Sequence, residues 1–240
     1  MFVYRRGVPR TAPVSRRDRP AKPALSREAV VAAAVELVRA HGTERVTMRR
    51  LAQELDTGPA SLYVYVRDTA SLHAAVLDVF LGEVDLAPVT ASGGDPRDRL
   101  RAVLSSYTEV LYARPGLART ALVTHPSGPH YLALVDGLLA LLDAAGVPPD
   151  RAAWAVDVLL LVATATAAEH GTRDAAPSTA AAEDDEFAAA LSDADPAVHP
   201  HIAALGADLL SGSGPDRTRW FVDVLVAGAR TTSRPAKETR

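Results

Sequence analysis

The run "VTMRRLAQELDTGPASLYVYVRDTASLHAAV", residues 46–76, decides how the rest of the chain is read. Met48, Leu51, Ala52 and Leu55 recur at helical spacing behind Thr47, a residue suited to cap a helix N-terminus, and Val46 can staple onto Leu51. Asp56-Thr57-Gly58 then breaks that helix after about two turns. Pro59 restarts it, because a proline at the first helical position loses no hydrogen bond and presets φ. "GPASLYVYVR", residues 58–67, is thus the start of a further short helix held at an angle to the one before.

Working outward, Leu25-Ser26 opens an upstream helix with Ser26 as its cap, Glu28 in the first turn and Leu25 stapled onto Val30. Val30, Ala33, Ala34, Leu37, Val38 and His41 repeat at helical spacing and Gly42 closes the helix. Downstream, Asp68 caps a helix with Leu72, Ala75, Val76, Val79 and Phe80 along one face, and "APVTASGGDPRD", residues 87–98, is a linker by composition. A long helix, a two-turn helix, a tight turn and a short helix have the geometry of a helix-turn-helix, whose last helix enters a DNA major groove.

The rest shows no β alternation and reads as helices at about 96–113, 115–124, 128–145, 149–170, 197–210 and 215–231. The segment "TRDAAPSTAAAEDDEFAAALSDADP", residues 172–196, is expected to be part loop and part weak helix. The fold class is all-α. "DRAAWAVDVLLLVATATAAEH", residues 150–170, is apolar on nearly all sides, which predicts burial on all sides, against a partner subunit on one face and the interior on another.

At 240 residues with 48% hydrophobic residues, the chain can bury a core and suits a small module joined to a larger one. It contains no cysteine, which removes disulfides, thiolate metal sites and cysteine nucleophiles. The apolar stretch at 152–168 is interrupted by Asp157 and falls short of the ~18 apolar residues of a membrane span, so a soluble cytoplasmic protein without a membrane partner is expected. The net charge of −3 hides an asymmetry. Residues 1–67 hold 13 Lys+Arg against 6 Asp+Glu, whereas residues 68–240 hold 13 against 23, so a basic N-terminal module faces a polyanion and an acidic remainder does not.

The gap-free register of Thr47, Leu51-Ala52, Leu55, Ser61-Leu62-Tyr63, Tyr65, Val66 and Leu72 resembles the TetR family of bacterial transcriptional regulators. Three positions depart from that pattern: Asp56-Thr57 stand where the family usually has glycine-valine, and Thr69 stands where it usually has lysine. The resemblance implies an N-terminal three-helix helix-turn-helix domain over 26–86 and a larger helical ligand-binding and dimerisation domain over 95–231. A flexible basic arm at 1–25 and a tail at 232–240 flank them. "FVDVLVAGAR", residues 221–230, is similar to the family's last dimerisation helix.

Leu62 and Val66, four residues apart, are expected to pack inward, leaving Pro59, Ala60, Ser61, Tyr63, Val64 and Tyr65 toward DNA. Because Tyr63 and Tyr65 are two apart, at least one faces outward; the resemblance implies that both hydroxyls hold phosphates. Ala60 and Val64 suit thymine methyls, and Ser61 reaches a base edge or a phosphate. By resemblance Arg49 reaches a base and Thr47 a phosphate, while Arg67 stands in for the missing lysine.

In the larger domain Tyr107, His125, Trp154, Asp157 and Thr164 are the candidates for an effector pocket, since such pockets are apolar with a few polar groups. No nucleophile elbow, Walker sequence, zincin or dinucleotide-binding pattern is present, and the histidines lack metal-ligand spacing. No catalytic residue, metal or cofactor is therefore assigned. The expectation is a dimeric repressor of a palindromic double-stranded DNA operator, released by a small apolar effector. The competing reading is an all-helical small-molecule-binding protein or enzyme without DNA binding.

Overall fold

The computed structural model describes residues 25–124 and 126–235, in which twelve α-helices and one 3-10 turn occur and no strand. The expected basic arm lies in residues 1–25, of which 1–24 are outside the described residues.

Helix α1 (Arg27–His41) is capped by Ser26, whose Oγ accepts from the Ala29 amide at 3.1 Å, and closes on Gly42, whose N–H reaches the Val38 carbonyl at 2.9 Å. Gly42 holds φ +80°, a conformation that favours glycine. Its buried residues are Val30, Val31, Ala34, Val35, Leu37 and Val38, a broader face than the sequence pattern, and His41 is exposed. A 3-10 turn (Thr43–Arg45) leads to α2 (Met48–Glu54), capped by Thr47 Oγ1 on the Arg50 amide at 3.2 Å. After it Asp56 takes φ +48°. That left-handed geometry favours glycine and is tolerated by aspartate, which explains how this chain makes the turn with Asp56.

Helix α3 (Pro59–Leu62) is a single turn with Pro59 at its start. Helix α4 (Thr69–Leu81) begins with a capping box, in which Asp68 and Ser71 each bond the other's backbone amide. The expected face of α4 is only half of what is buried: Leu72, Val76 and Phe80 are inside, but so are Leu77, Asp78 and Leu81, while Val79 is exposed. The cause is double packing, against α1 on one side and against α7 and α8 on the other.

A short α5 (Ala87–Thr90) precedes α6 (Pro96–Tyr112), α7 (Pro115–Ala121), α8 (Pro129–Ala144) and α9 (Pro149–Asp174). Helices α6, α8 and α9 pack on one another, α7 lies on α9, and α12 (Gly214–Thr231) returns against α6 and α9. By length and hydropathy the 26-residue α9 would also pass as a membrane span, contrary to the expectation from sequence, but half of the qualifying window is buried in the bundle.

Residues 177–192 form one continuous helix, α10 (Pro177–Ser192), as its alanine content favours, and Arg173 ties it to α9 through Glu183 and Asp184. In a single chain α9 leaves Trp154, Val158 and Leu161 exposed along one stripe and buries its other face in the bundle. Neither α10 nor α11 (Pro200–Leu209) buries a residue; α10 rests on α9 and α11 on α10.

Candidate functional site

Two sites emerge, a surface on α2–α3 and a cavity behind α4. On the surface, Leu62 is fully buried and Val66 nearly so, which fixes the turn on the core of α1, α2 and α4. Pro59, Ala60 and Ser61 are exposed, Tyr63 is 52% exposed and Val64 80%. Tyr65 is half-buried and packs against the core, so of the two tyrosines Tyr63 is the outward one. Thr47 and Arg49 are exposed at the start of α2, and Arg49 has no hydrogen bond or ion pair among the described residues. Its neighbour Arg50 leans on Glu54 at 3.8 Å.

Arg67 is exposed but engaged: its Nε donates to Asp68 Oδ2 at 3.0 Å. The Ser71 hydroxyl and amide, and then Arg67, hold the Asp68 carboxyl down at about 2, so the partner of Arg67 stays ionised at working pH.

The cavity holds about 90 Å³ and is lined from five helices and one loop: Leu77 and Leu81 of α4, Tyr107 of α6, Ala121 of α7, Tyr131 of α8, and Asp157, Leu160, Leu161 and Thr164 of α9, with Leu122, Thr124 and Pro126 between α7 and α8. Thr164 Oγ1 donates to the Leu160 carbonyl at 2.6 Å and accepts from the Tyr107 hydroxyl at 2.6 Å, which gives this buried polar pair its partners. Burial pushes the Tyr107 phenol up to about 12, against the opposing pull of the Thr164 bond. Burial also raises the Tyr131 phenol, with the Asp157 charge adding to it. Asp157 has no cationic partner among the described residues.

Of the five pocket candidates, Tyr107, Asp157 and Thr164 meet in this cavity. Trp154 does not: it is 51% exposed on the outer stripe of α9, with the Arg234 guanidinium 3.9 Å from its ring centroid. It sits one turn before Asp157 on the same exposed side of α9, but Asp157 reaches the cavity mouth and Trp154 does not. His125 lies outside the described residues, although Thr124 and Pro126 on either side of it line the cavity. Sequence reasoning missed Leu77, Leu81 and Tyr131. The apolar 77/81 pair on a helix already assigned one apolar face was the available signal. A second groove of about 530 Å³ runs between α6, α9 and α12, with Arg101, Glu109, Thr166 and His170 among its walls.

Side-chain ties join α1–α4 to the bundle. Glu83, just past α4, accepts from Arg39 of α1 at 3.4 Å and from Arg114 at 2.8 Å, and both guanidinium groups lie over the Phe80 ring, at 5.6 and 4.2 Å. Arg119 of α7 donates to Glu44 at 2.5 Å and to Thr172 of α9 at 2.9 Å. Among the described residues no group of three or more His, Asp or Glu side chains could hold a metal ion.

Comparison with known proteins adds to this geometry. Residues 30–76 match the family described as bacterial regulatory proteins, tetR family, and residues 87–227 match the tetracyclin repressor-like C-terminal domain. A transcription regulator of Streptomyces coelicolor, SCO7704, is 55% identical and its crystal structure superposes with a TM-score of 0.76 over 90% of this chain and 100% of that one. ActR of Streptomyces coelicolor, in a crystal structure with actinorhodin, is 27% identical with a TM-score of 0.74 over 87% of this chain and 96% of that one. An HTH-type transcriptional regulator of Saccharopolyspora erythraea is 37% identical over 125 residues, 52% of each chain, so the match spans about half the length of that curated relative. With its DNA-binding and C-terminal segments both matched, the second over more than half of its length, this chain belongs to the TetR family of bacterial transcriptional regulators.

Proposed function

We propose that the protein is a dimeric, non-catalytic cytoplasmic repressor that holds a palindromic operator through α2–α3 and releases it when a small molecule fills the cavity. The observation that carries this reading is the position of α4. Its first turn follows directly on the recognition turn, and its Leu77 and Leu81 form part of the cavity wall. A ligand shifts an equilibrium only by its differential affinity for the two states, and a wall shared with the DNA-binding head is where such a difference can arise. The division into a head at 26–86 and an effector and dimerisation domain at 95–231 belongs to the same proposal.

Tyr63, Thr47 and Tyr65 hold phosphates in this reading, Ala60, Ser61 and Val64 contact base edges, Pro59 sets their approach, and Arg49 reads a base. The second subunit covers Trp154, Val158 and Leu161 of α9 together with Trp220 and Val224 of α12, apolar side chains left in water by one chain alone. The effector carries an apolar body for the leucine walls and a hydrogen-bond donor for Asp157. The complex of ActR with actinorhodin supports a small molecule as the class of effector.

Selection of duplexes from a random pool, followed by gel shifts at several salt concentrations, tests the reading. The expected result is a palindromic consensus whose affinity falls steeply with salt; binding with neither sequence preference nor salt dependence overturns it. Tyr63→Phe weakens all sites alike, whereas Arg49→Ala also relaxes preference at one base position, worth about 1–3 kcal/mol.

A further inference from the structure

Helices α1, α2, α4, α6 and α12 each carry their own N-cap side chain, from Ser26, Thr47, Asp68, Asp95 and Ser213. Helix α8, like α7, α9, α10 and α11, does not: its cap position is Gly128, and among the described residues no side chain of the preceding loop bonds its first turn. The bond is supplied from elsewhere. Asp78, on α4, accepts from the Tyr131 amide at 2.9 Å through Oδ1, at the third helical position where a local cap would bond, and its Oδ2 meets His130 Nδ1 at 3.3 Å. A Cβ built on Gly128 would fall onto the Asp78 carboxylate, so that carboxylate occupies the space of the missing cap side chain.

Asp78 is also the one buried carboxylate among the described residues. Its charge faces the positive end of a 16-residue helix dipole, which stabilises it there. Leu77, its neighbour in sequence, and Leu81, one turn on, line the cavity, and so does Tyr131, the residue it caps. One part-buried hydrogen bond therefore joins the helix that follows the recognition turn to the wall of the cavity. Breaking it strands a buried charge and an unpaired amide, so α4 and the start of α8 part only as a discrete step.

We propose that Asp78 is the N-cap of α8 supplied in trans from α4, and that this cap is the latch coupling the cavity to the DNA-binding surface. The proposal rests on the regulator reading above and adds the residue through which regulation passes. Asp78 acts through Tyr131 and Leu77 and is a positioning residue. By the reciprocity of coupled sites, DNA that fixes α4 changes the opening of the Tyr131 amide, just as a body seated on Tyr131 changes α4.

Two variants of the full chain separate a latch from a simple cap. Asp78→Ala removes the trans cap, and Asp78→Ala with Gly128→Ser gives α8 a local one, since Gly128 has extended backbone (φ −82°, ψ 172°) that serine adopts freely once Asp78 is gone. Hydrogen exchange at the Tyr131 amide is measured with and without an operator duplex recovered by selection. Asp78→Ala should speed that exchange about ten- to hundredfold, and the double variant should bring it back to within about threefold of the parent. Operator DNA should slow it in the parent and leave it unchanged in the double variant.

If the operator still slows exchange in the double variant, the cap is structural only and the latch is overturned; if Asp78→Ala leaves exchange unchanged, the cap itself is. A parent that binds no duplex overturns the regulator reading, and with it the latch as a coupling device, while the Asp78→Ala rate still decides whether the cap exists.

Discussion

The recognition surface and the cavity lie toward the two ends of α4, and they are built in opposite ways. On the surface the anchors are purely apolar, Leu62 and Val66, and Pro59, Ala60, Ser61, Tyr63 and Val64 stand in water. In the cavity Tyr107 and Thr164 are part of the core, buried and bonded to each other, with Thr164 also bonded to the Leu160 carbonyl, while Asp157 alone of the three polar candidates is exposed. Surface residues can therefore change binding without changing stability. Tyr107 and Thr164 cannot be altered for one without the other.

The largest effect that can break this contrast is at the surface's anchor. Leu62→Ala should cost about 2–5 kcal/mol in chemical denaturation and abolish operator binding, because Leu62 is the one fully buried side chain of a one-turn helix. Tyr63→Phe should stay within about 0.5 kcal/mol of the parent. Equal midpoints for Leu62→Ala and the parent would mean that the recognition turn is held by something other than its apolar residues.

In the cavity the matching test is alkaline. The Tyr107 phenol is raised from 10.0 to about 12, chiefly by burial, so the folded state keeps its proton after the unfolded chain has lost it. The stability this represents is full below pH 10 and is lost as pH rises toward about 12, amounting to at most about 3 kcal/mol. Denaturation midpoints measured across that interval should fall more steeply for the parent than for Tyr107→Phe; parallel curves would place the phenol in water. Smaller again is the coupling between the two hydroxyls. A double-mutant cycle of Tyr107→Phe and Thr164→Val should return about 0.5–1.5 kcal/mol, and a value near zero would show that each group has an independent partner.

The same contrast explains what was legible in the sequence. The head follows from local rules: caps at Ser26, Thr47 and Asp68, a break at Asp56–Gly58, a proline start at Pro59, and apolar spacing that put Leu62 and Val66 inside. The cavity is an intersection of helices far apart in sequence, so Tyr107, Asp157 and Thr164 could be chosen as polar exceptions, whereas Leu77 was marked only by its apolar pairing with Leu81 and Tyr131 by nothing local. Trp154 went astray for a related reason: an all-round apolar helix does not reveal which stripe a single chain leaves in water. Asp78 was invisible because its role depends on Gly128, fifty residues away in sequence.

The smallest expected effect is at Arg67, where the surface most resembles the cavity. Unlike Arg49, Arg67 already has an anion, because its Nε is bonded to Asp68, and Ser71 keeps that carboxyl ionised by holding it at about 2. To grip a phosphate it must exchange one anion for another, or share its guanidinium between the two, and either way fewer counterions are released than by an unpaired arginine. A full phosphate contact contributes about 0.9 to the slope of log affinity against log salt. Arg67→Ala should therefore lower that slope by clearly less than this, and Arg49→Ala by more than Arg67→Ala. Gel shifts of both variants over one salt series decide it. A full-contact loss at Arg67 would mean that the Asp68 pair opens on DNA, and that the capping box of α4 is itself part of the recognition step.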